Sequence, residues 1–162
     1  MDSKGKIYEA IPKIMAEVGA VAKGHKNPQQ GYQYRAIDDV MGALQGIMAK
    51  HGVFVFPRVS TERTEHVKIG QKGTPMVHVF LVIEYRFCAV DGSEVVASAP
   101  GEAMDTGDKA ANKAMASALK YVLTQTFMIP TSDPKDTELA SPELSPQDEA
   151  AMDHNGEQEP AF

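Results

Sequence analysis

The chain has 162 residues, 43% of them apolar, and a single cysteine; that is enough for one domain with a real hydrophobic core and excludes an internal disulfide or a thiolate zinc cluster. No apolar run approaches the roughly 20 residues that span a membrane, and Met1-Asp-Ser-Lys-Gly-Lys6 lacks the apolar core of a secretory signal, so a soluble, cytoplasmic protein is expected. The net charge of −6 is unevenly spread: Ser132–Phe162 holds nine of the 22 acids and one of the 16 bases, so this tail carries −8 and residues 1–131 carry +2.

From Ser3 to Ala22, Ile7, Ile11, Ile14, Val18 and Val21 recur at helical spacing. Pro12 is expected either to delay the helix start to Ile11 or to kink it. Gly24–Gly31 reads as a polar link, and Tyr32-Gln-Tyr-Arg35 as extended chain. A second helix is predicted over Ile37–His51, with Ile37, Val40, Met41, Leu44, Ile47 and Met48 on one face and Gly52 as its stop. Asp38 and Asp39 at its start read as capping groups.

At Val53 the period changes from helical to alternating. Val53–Val59 and Thr64–Ile69 form one long strand bent near Ser60, or two short ones. Gly70–Pro75 is a turn, Met76–Val90 is the strongest strand signal, Asp91-Gly92 marks a two-residue hairpin, and Glu94–Ala99 returns. The stretch Gly101–Thr131 then reads as a helix. Asp105, Thr106 and Asp108 are placed to cap it, Ala111, Ala114, Met115, Ala118, Leu119 and Val122 form an apolar face, and Pro130 stops it. At roughly 100° per residue, Lys109, Lys113 and Lys120 fall within about 40° of one another on the opposite side. These lysines are a solvated face or a track for a phosphate backbone.

The predicted fold is α+β, with helices flanking a three-stranded antiparallel sheet in a β-β-β-α core over residues 1–131. The acidic, proline-punctuated segment 132–162 cannot bury enough apolar surface to offset its ordering entropy and is expected to be disordered.

Catalytic signals are sparse. The five histidines are scattered without metal-ligand spacing, and Cys88 sits in a strand-like run as a small hydrophobe. Gly101–Lys109 lacks the spacing of a phosphate loop, and Ala110 stands where a Ser or Thr is required, so no ATPase and no cofactor are expected. An enzyme alternative is a divalent-metal nuclease using Asp38, Asp39, Asp105 and Asp108.

Gly101-Glu-Ala-Met-Asp-Thr-Gly-Asp-Lys-Ala110, Asn112-Lys-Ala-Met-Ala-Ser-Ala-Leu-Lys-Tyr121 and Gln125-Thr-Phe-Met-Ile-Pro130 together resemble the hallmark helix of the Erf (essential recombination function) family. Those are phage-type single-strand annealing proteins. Tyr32-Gln-Tyr-Arg-Ala-Ile-Asp-Asp39, with Leu44 and Lys50-His-Gly-Val53, resembles the N-terminal half of the same family, so the likeness runs from about Lys4 to Asp133. It implies ATP-independent binding and annealing of complementary single strands by a homo-oligomer, as a ring or filament, in the cytoplasm of a bacterial host. It also implies the β-β-β-α core of the eukaryotic strand-annealing recombinases, in which Lys120 of Ala-Leu-Lys-Tyr resembles a DNA-contacting residue.

The candidate single-stranded DNA contacts are Lys120 first and Arg35 second, then Lys113, Lys109, Arg58, Arg63, Arg86, Tyr34 and Tyr32. Arg58 shares a strand face with Phe54 and Phe56. A groove between sheet and helix, lined from both sides, is expected to hold the strand by its phosphates. The alternative is a protective single-strand binding module that does not anneal. The nine tail carboxylates can act as a tethered mimic of DNA phosphates. Glu157-Gln-Glu-Pro-Ala-Phe162 resembles the acidic, Phe-terminated tip with which bacterial single-strand binding proteins recruit partners, so a host or phage replication or recombination protein is a possible partner.

Overall fold

Alternation from Val53 onwards builds a three-stranded antiparallel sheet, and helices cover one of its faces. The computed structural model describes residues 5–26, 28, 33–70 and 72–130; Tyr32 and the tail, with the disorder expected of it, lie outside the described residues. The elements follow in the order α1 (Lys6–Glu17), β1 (His25–Lys26), β2 (Gln33–Tyr34), α2 (Ile37–Lys50), β3 (Val53–Ile69), β4 (Thr74–Ala89), β5 (Glu94–Asp105) and α3 (Ala110–Thr126). The sheet is ordered β3-β4-β5, and β1 pairs with β2 as a separate small ladder. The architecture is the α+β, β-β-β-α arrangement expected from the sequence.

β3 is one continuous strand, and the bend expected near Ser60 is a bulge that shifts its register between Val59 and Thr61. Ser60 donates its hydroxyl to the Val82 carbonyl at 3.0 Å. Along β4, Val79, Leu81, Ile83, Tyr85 and Phe87 are buried and form one core with Ile7 and Ile14 of α1, Val40 and Leu44 of α2, and Ala114, Ala118 and Val122 of α3. All three helices therefore lie on the odd-numbered face of β4. Burial there pushes the Tyr85 phenol up to about 12.

The return strand is longer than expected. β5 keeps pairing with β4 as far as Asp105 opposite Val77, so Gly101–Asp105 is strand rather than the opening of a helix. Gly101 faces α3, and a Cβ at that position would run into the Ala114 carbonyl and lie 3.1 Å from the Ala118 methyl. The helix is seated directly on the strand backbone through its smallest residues. Its buried stripe is consequently Ala110, Ala114, Ala118 and Val122, with Leu123 beside it; Ala111 and Met115, expected inside, are exposed.

The ends of α3 also differ from expectation. Lys109 is its N-cap without any side-chain cap, and Asp105 accepts instead from the Gly107 amide at 2.8 Å. The helix stops before Pro130 in a left-handed turn at Met128 (φ 48°). The Ile129 amide donates to the Thr124 carbonyl at 2.9 Å, that of Met128 donates to Gln125 at 3.3 Å, and Ile129 is buried beside Leu123.

α1 continues through Pro12 without a break, so its start is at Lys6 and not at Ile11, and it ends at Glu17. The carbonyl deprived of its helical donor is that of Tyr8, on the exposed side of the helix, where water can serve it. Val18 and Val21 stay buried on extended chain after the helix. The start of α1 is capped from a distance by the β4–β5 hairpin. Lys6 donates its amide to the Asp91 carboxylate at 2.9 Å, and Ile7 donates to the Ser93 hydroxyl at 3.0 Å. That hairpin is a three-residue loop, Val90–Gly92, rather than the two-residue turn expected; Gly92 alone takes a positive φ of 82°.

Two measurements check this account. Gly101→Ala should lower stability by about 2–3 kcal/mol in denaturant unfolding, because neither the Ala114 backbone nor the strand can retreat without opening the helix–sheet contact. The Asp91 carboxyl is held at about 2, first by the Lys6 amide and then by the Ser93 hydroxyl. Its folded value lies below the unfolded one, so its contribution is complete above about pH 4 and vanishes on the way down to about pH 2. Asp91→Ala should therefore melt lower than the parent at pH 7, with the gap closing across that acid window.

Candidate nucleic-acid interface

The face of α3 opposite the alanine stripe carries the three lysines, and they are not equivalent. Lys113 is paired with Asp105, whose carboxyl is held below its usual range first by that lysine and then by the Gly107 amide. Lys109 and Lys120 form no ion pair among the described residues, though the Lys109 charge is close enough to help hold the Asp105 carboxyl down. The half-buried Lys120 places its ammonium 5.3 Å from the centre of the Tyr121 ring. The Thr124 hydroxyl donates to the Lys120 carbonyl at 2.7 Å, tightening that turn.

The three arginines predicted from the strands lie elsewhere. Register puts Phe54, Phe56, Arg58, Arg63, Arg86, Glu65, Glu84, Glu94 and Glu102 on the even-numbered face of β4, away from α3. Arg58 pairs with Glu84 at 3.7 Å, Arg63 with Glu65 at 3.4 Å, and Arg86 with Glu94 at 2.8 Å. Arg63 also sits 5.6 Å over the Phe80 ring. His78 contacts Glu102 at 2.6 Å and lies opposite Glu65 in the ladder. Phe54 and Phe56 are exposed on this face, with ring centres 6.3 Å apart. The groove expected between sheet and helix is therefore not formed: helical lysines and strand arginines point away from opposite faces of the sheet, because the small residues of α3 fill the space between.

Arg35 lies in a third place, between β2 and α2. β1 and β2 set His25 opposite Tyr34 and Lys26 opposite Gln33, and the His25 and Tyr34 rings are 5.5 Å apart. His25 also contacts the Asp39 carboxylate at 3.1 Å, and Asp39 accepts the Ala36 amide at 2.8 Å. That amide bond is the largest cause holding the Asp39 carboxyl below its usual range. Arg35 Nη1 is buried and lacks a hydrogen-bond partner among the described residues. Lys26 is exposed, with no carboxylate partner among them. Sequence reasoning read Lys26 and His25 as part of a polar link; two ladder residues on each strand are too short for any periodicity to reveal.

The carboxylates of the nuclease alternative do not converge. Asp39 serves the start of α2, Asp105 serves Gly107 and Lys113, and among the described residues no group of three or more possible ligands forms a metal site. Burial, and next the Glu94 charge, push the Cys88 thiol above its ordinary range, which disfavours a nucleophilic thiolate. Among the described residues no helix is long and apolar enough to cross a membrane.

Fold and charge placement together define an α+β body in which, among the described residues, Lys109 and Lys120 on the outer side of α3 and Lys26 at the β1–β2 ladder stand outside the ion pairs, as do Lys6 and Lys13 of α1, Lys68 of β3 and Lys72 in the turn after it. A protein-family model described as the ERF superfamily matches residues 7–160. The chain belongs to that family, the one its sequence resembles. No curated protein matches the chain.

Proposed function

We propose that this chain binds single-stranded DNA and anneals complementary strands without ATP, as a phage-type recombination protein of the bacterial cytoplasm. The observation that carries the reading is the ERF superfamily match over residues 7–160. The charge geometry supports it. Lys109 and Lys120 bracket about 16 Å of helix at 1.5 Å per residue, a row suited to an extended strand held by its phosphates. Phosphate contacts leave base edges free to test a second strand, and this chemistry needs no cofactor.

Within this reading Lys120, Lys109 and Arg35 are the leading contacts. Lys113 joins them by exchanging Asp105 for a phosphate. Arg58, Arg63 and Arg86, with Tyr34 and Tyr32, rank lower, since each of the three arginines already has a glutamate. A homo-oligomer would extend the row, and the outer edges of β3 and β5, which pair with no further strand among the described residues, offer a route to it. The tail is the segment we assign to recruiting a replication or recombination protein.

Mixing complementary oligonucleotides with the protein in the absence of ATP tests the reading. Faster duplex formation is expected; slower formation would identify a protective module, and an unchanged rate would remove both. Lys120→Ala should weaken binding to all sequences alike and reduce the slope of log K against log salt by about 0.7, one single-strand counterion contact. Arg58→Ala should change both quantities less, because Glu84 already neutralises that side chain.

A further inference from the structure

We propose that the first acidic stretch of the tail, Asp133–Glu138, docks on the basic ladder of β1, β2 and Arg35, in the place a DNA phosphate would take. Three observations converge on this contact. The first is where the described chain ends. The Pro130 carbonyl accepts the Val21 amide at 3.3 Å, so the tail leaves the body beside Val21, four residues before His25. Four residues of extended chain span at most about 14 Å, which puts the exit within that distance of the ladder.

The second is an unmet demand for an acceptor. Arg35 Nη1 is buried with no partner among the described residues. A buried donor left unsatisfied is costly; Nη1 itself is closed off, so the half-buried remainder of the guanidinium is what a carboxylate or phosphate would meet first, drawing the fork outward. Lys26 adds an ammonium without a carboxylate partner among the described residues. Two acidic groups stand at the start of α2, close to the ladder through the His25–Asp39 contact. Asp39 there is already occupied by the Ala36 amide and His25, and Asp38 is exposed.

The third is reach and charge. Asp133, Asp136 and Glu138 stand three, six and eight residues beyond Pro130. Fully extended they reach about 10, 20 and 27 Å, so all can span the ladder. A short tether of this kind sets an effective concentration in the millimolar range, enough for a weak contact to persist and to oppose an external anion. The competition with DNA, though not the docking, rests on the single-strand binding reading above.

Zero-length carbodiimide coupling of the full chain without DNA, followed by peptide mapping, tests the docking. The expected product joins Lys26 to Asp133, Asp136 or Glu138, and its yield falls in about 1 M salt, where the screening length is about 3 Å. Absence of that product, or coupling spread evenly over Lys6, Lys13, Lys68 and Lys72, overturns the proposal. The full-length variant Asp133→Asn/Asp136→Asn/Glu138→Gln should bind oligothymidylate several-fold more tightly at about 50 mM salt, with the advantage gone at high salt. Equal affinities across the salt series overturn the competition. A chain that gives the Lys26 product yet binds no oligonucleotide in either form keeps the docking and removes the DNA reading instead.

Discussion

The position of α3 depends on one close contact, that of Gly101 with the Ala114 backbone. A helix that meets a strand across alanine methyls and a bare Cα approaches closer than leucine or valine side chains would allow, and close approach selects one rotation about its axis. Ala110, Ala114 and Ala118 must face the strand, so Lys109, Lys113 and Lys120 must face away. The charged row is thus a consequence of the packed row. The same contact leaves Ala111 and Met115 on the flank, outside the core. Larger side chains close the layer where the helix ends, as Phe127 meets Phe87 edge-on at 5.6 Å.

A second dependence ties the chain's first helix to its last hairpin. The opening turn of α1 has no side-chain cap of its own, since Gly5 precedes it. Asp91 and Ser93 supply the acceptors from 85 and 86 residues away, and Gly5 is needed because any side chain there would meet Ser93. At the far end of α1, Glu17 receives Lys50 at 2.9 Å and His51 at 2.8 Å, which ties it to the end of α2. These hydrogen bonds, Lys50 first, hold the Glu17 carboxyl below its usual range. Both attachments involve groups far apart in sequence, and both hold helices whose buried residues belong to the one shared core.

The alternating strands, the amphipathic helices and the order β-β-β-α were legible because period and composition act locally. The Ser60 bend was legible too, as a polar break between two alternating runs, and it became a bulge. What local pattern could not carry were the choices made by partners. Gly101–Asp105 looks like a helix start because its carboxylates suit a cap, yet β4 offers it five more ladder positions. Pro130 looks like the stop, yet the stop is the left-handed turn at Met128, which no residue preference announces. For the site, the cluster of lysines on α3 was readable from spacing alone. The separation of Arg58, Arg63 and Arg86 from them was not, because it depends on which sheet face the helices cover.

Partnering divides the cations more sharply than position does. On the open sheet face, Glu65, Glu84, Glu94 and Glu102 accompany Arg58, Arg63, Arg86 and His78, so the face is apolar at Phe54 and Phe56 and close to neutral elsewhere. Exposed ion pairs of this kind add little stability, but they cancel the field that would gather a polyanion. Among the described residues Lys109, Lys120, Lys26 and Arg35 stand outside these ion pairs, on α3 and beside the ladder, as do Lys6 and Lys13 on α1, Lys68 on β3 and Lys72 in the turn after it, and Lys109 still feels the Asp105 charge. On the proposed reading, a body of only +2 would hold a phosphate chain through local cations rather than through its overall charge. The −8 of residues 132–162 follows Pro130, whose carbonyl accepts the Val21 amide. On the proposed docking, attraction for an external anion and the chain's own anions would compete at neighbouring places, and ionic strength would weaken both, since each acts through exposed charge.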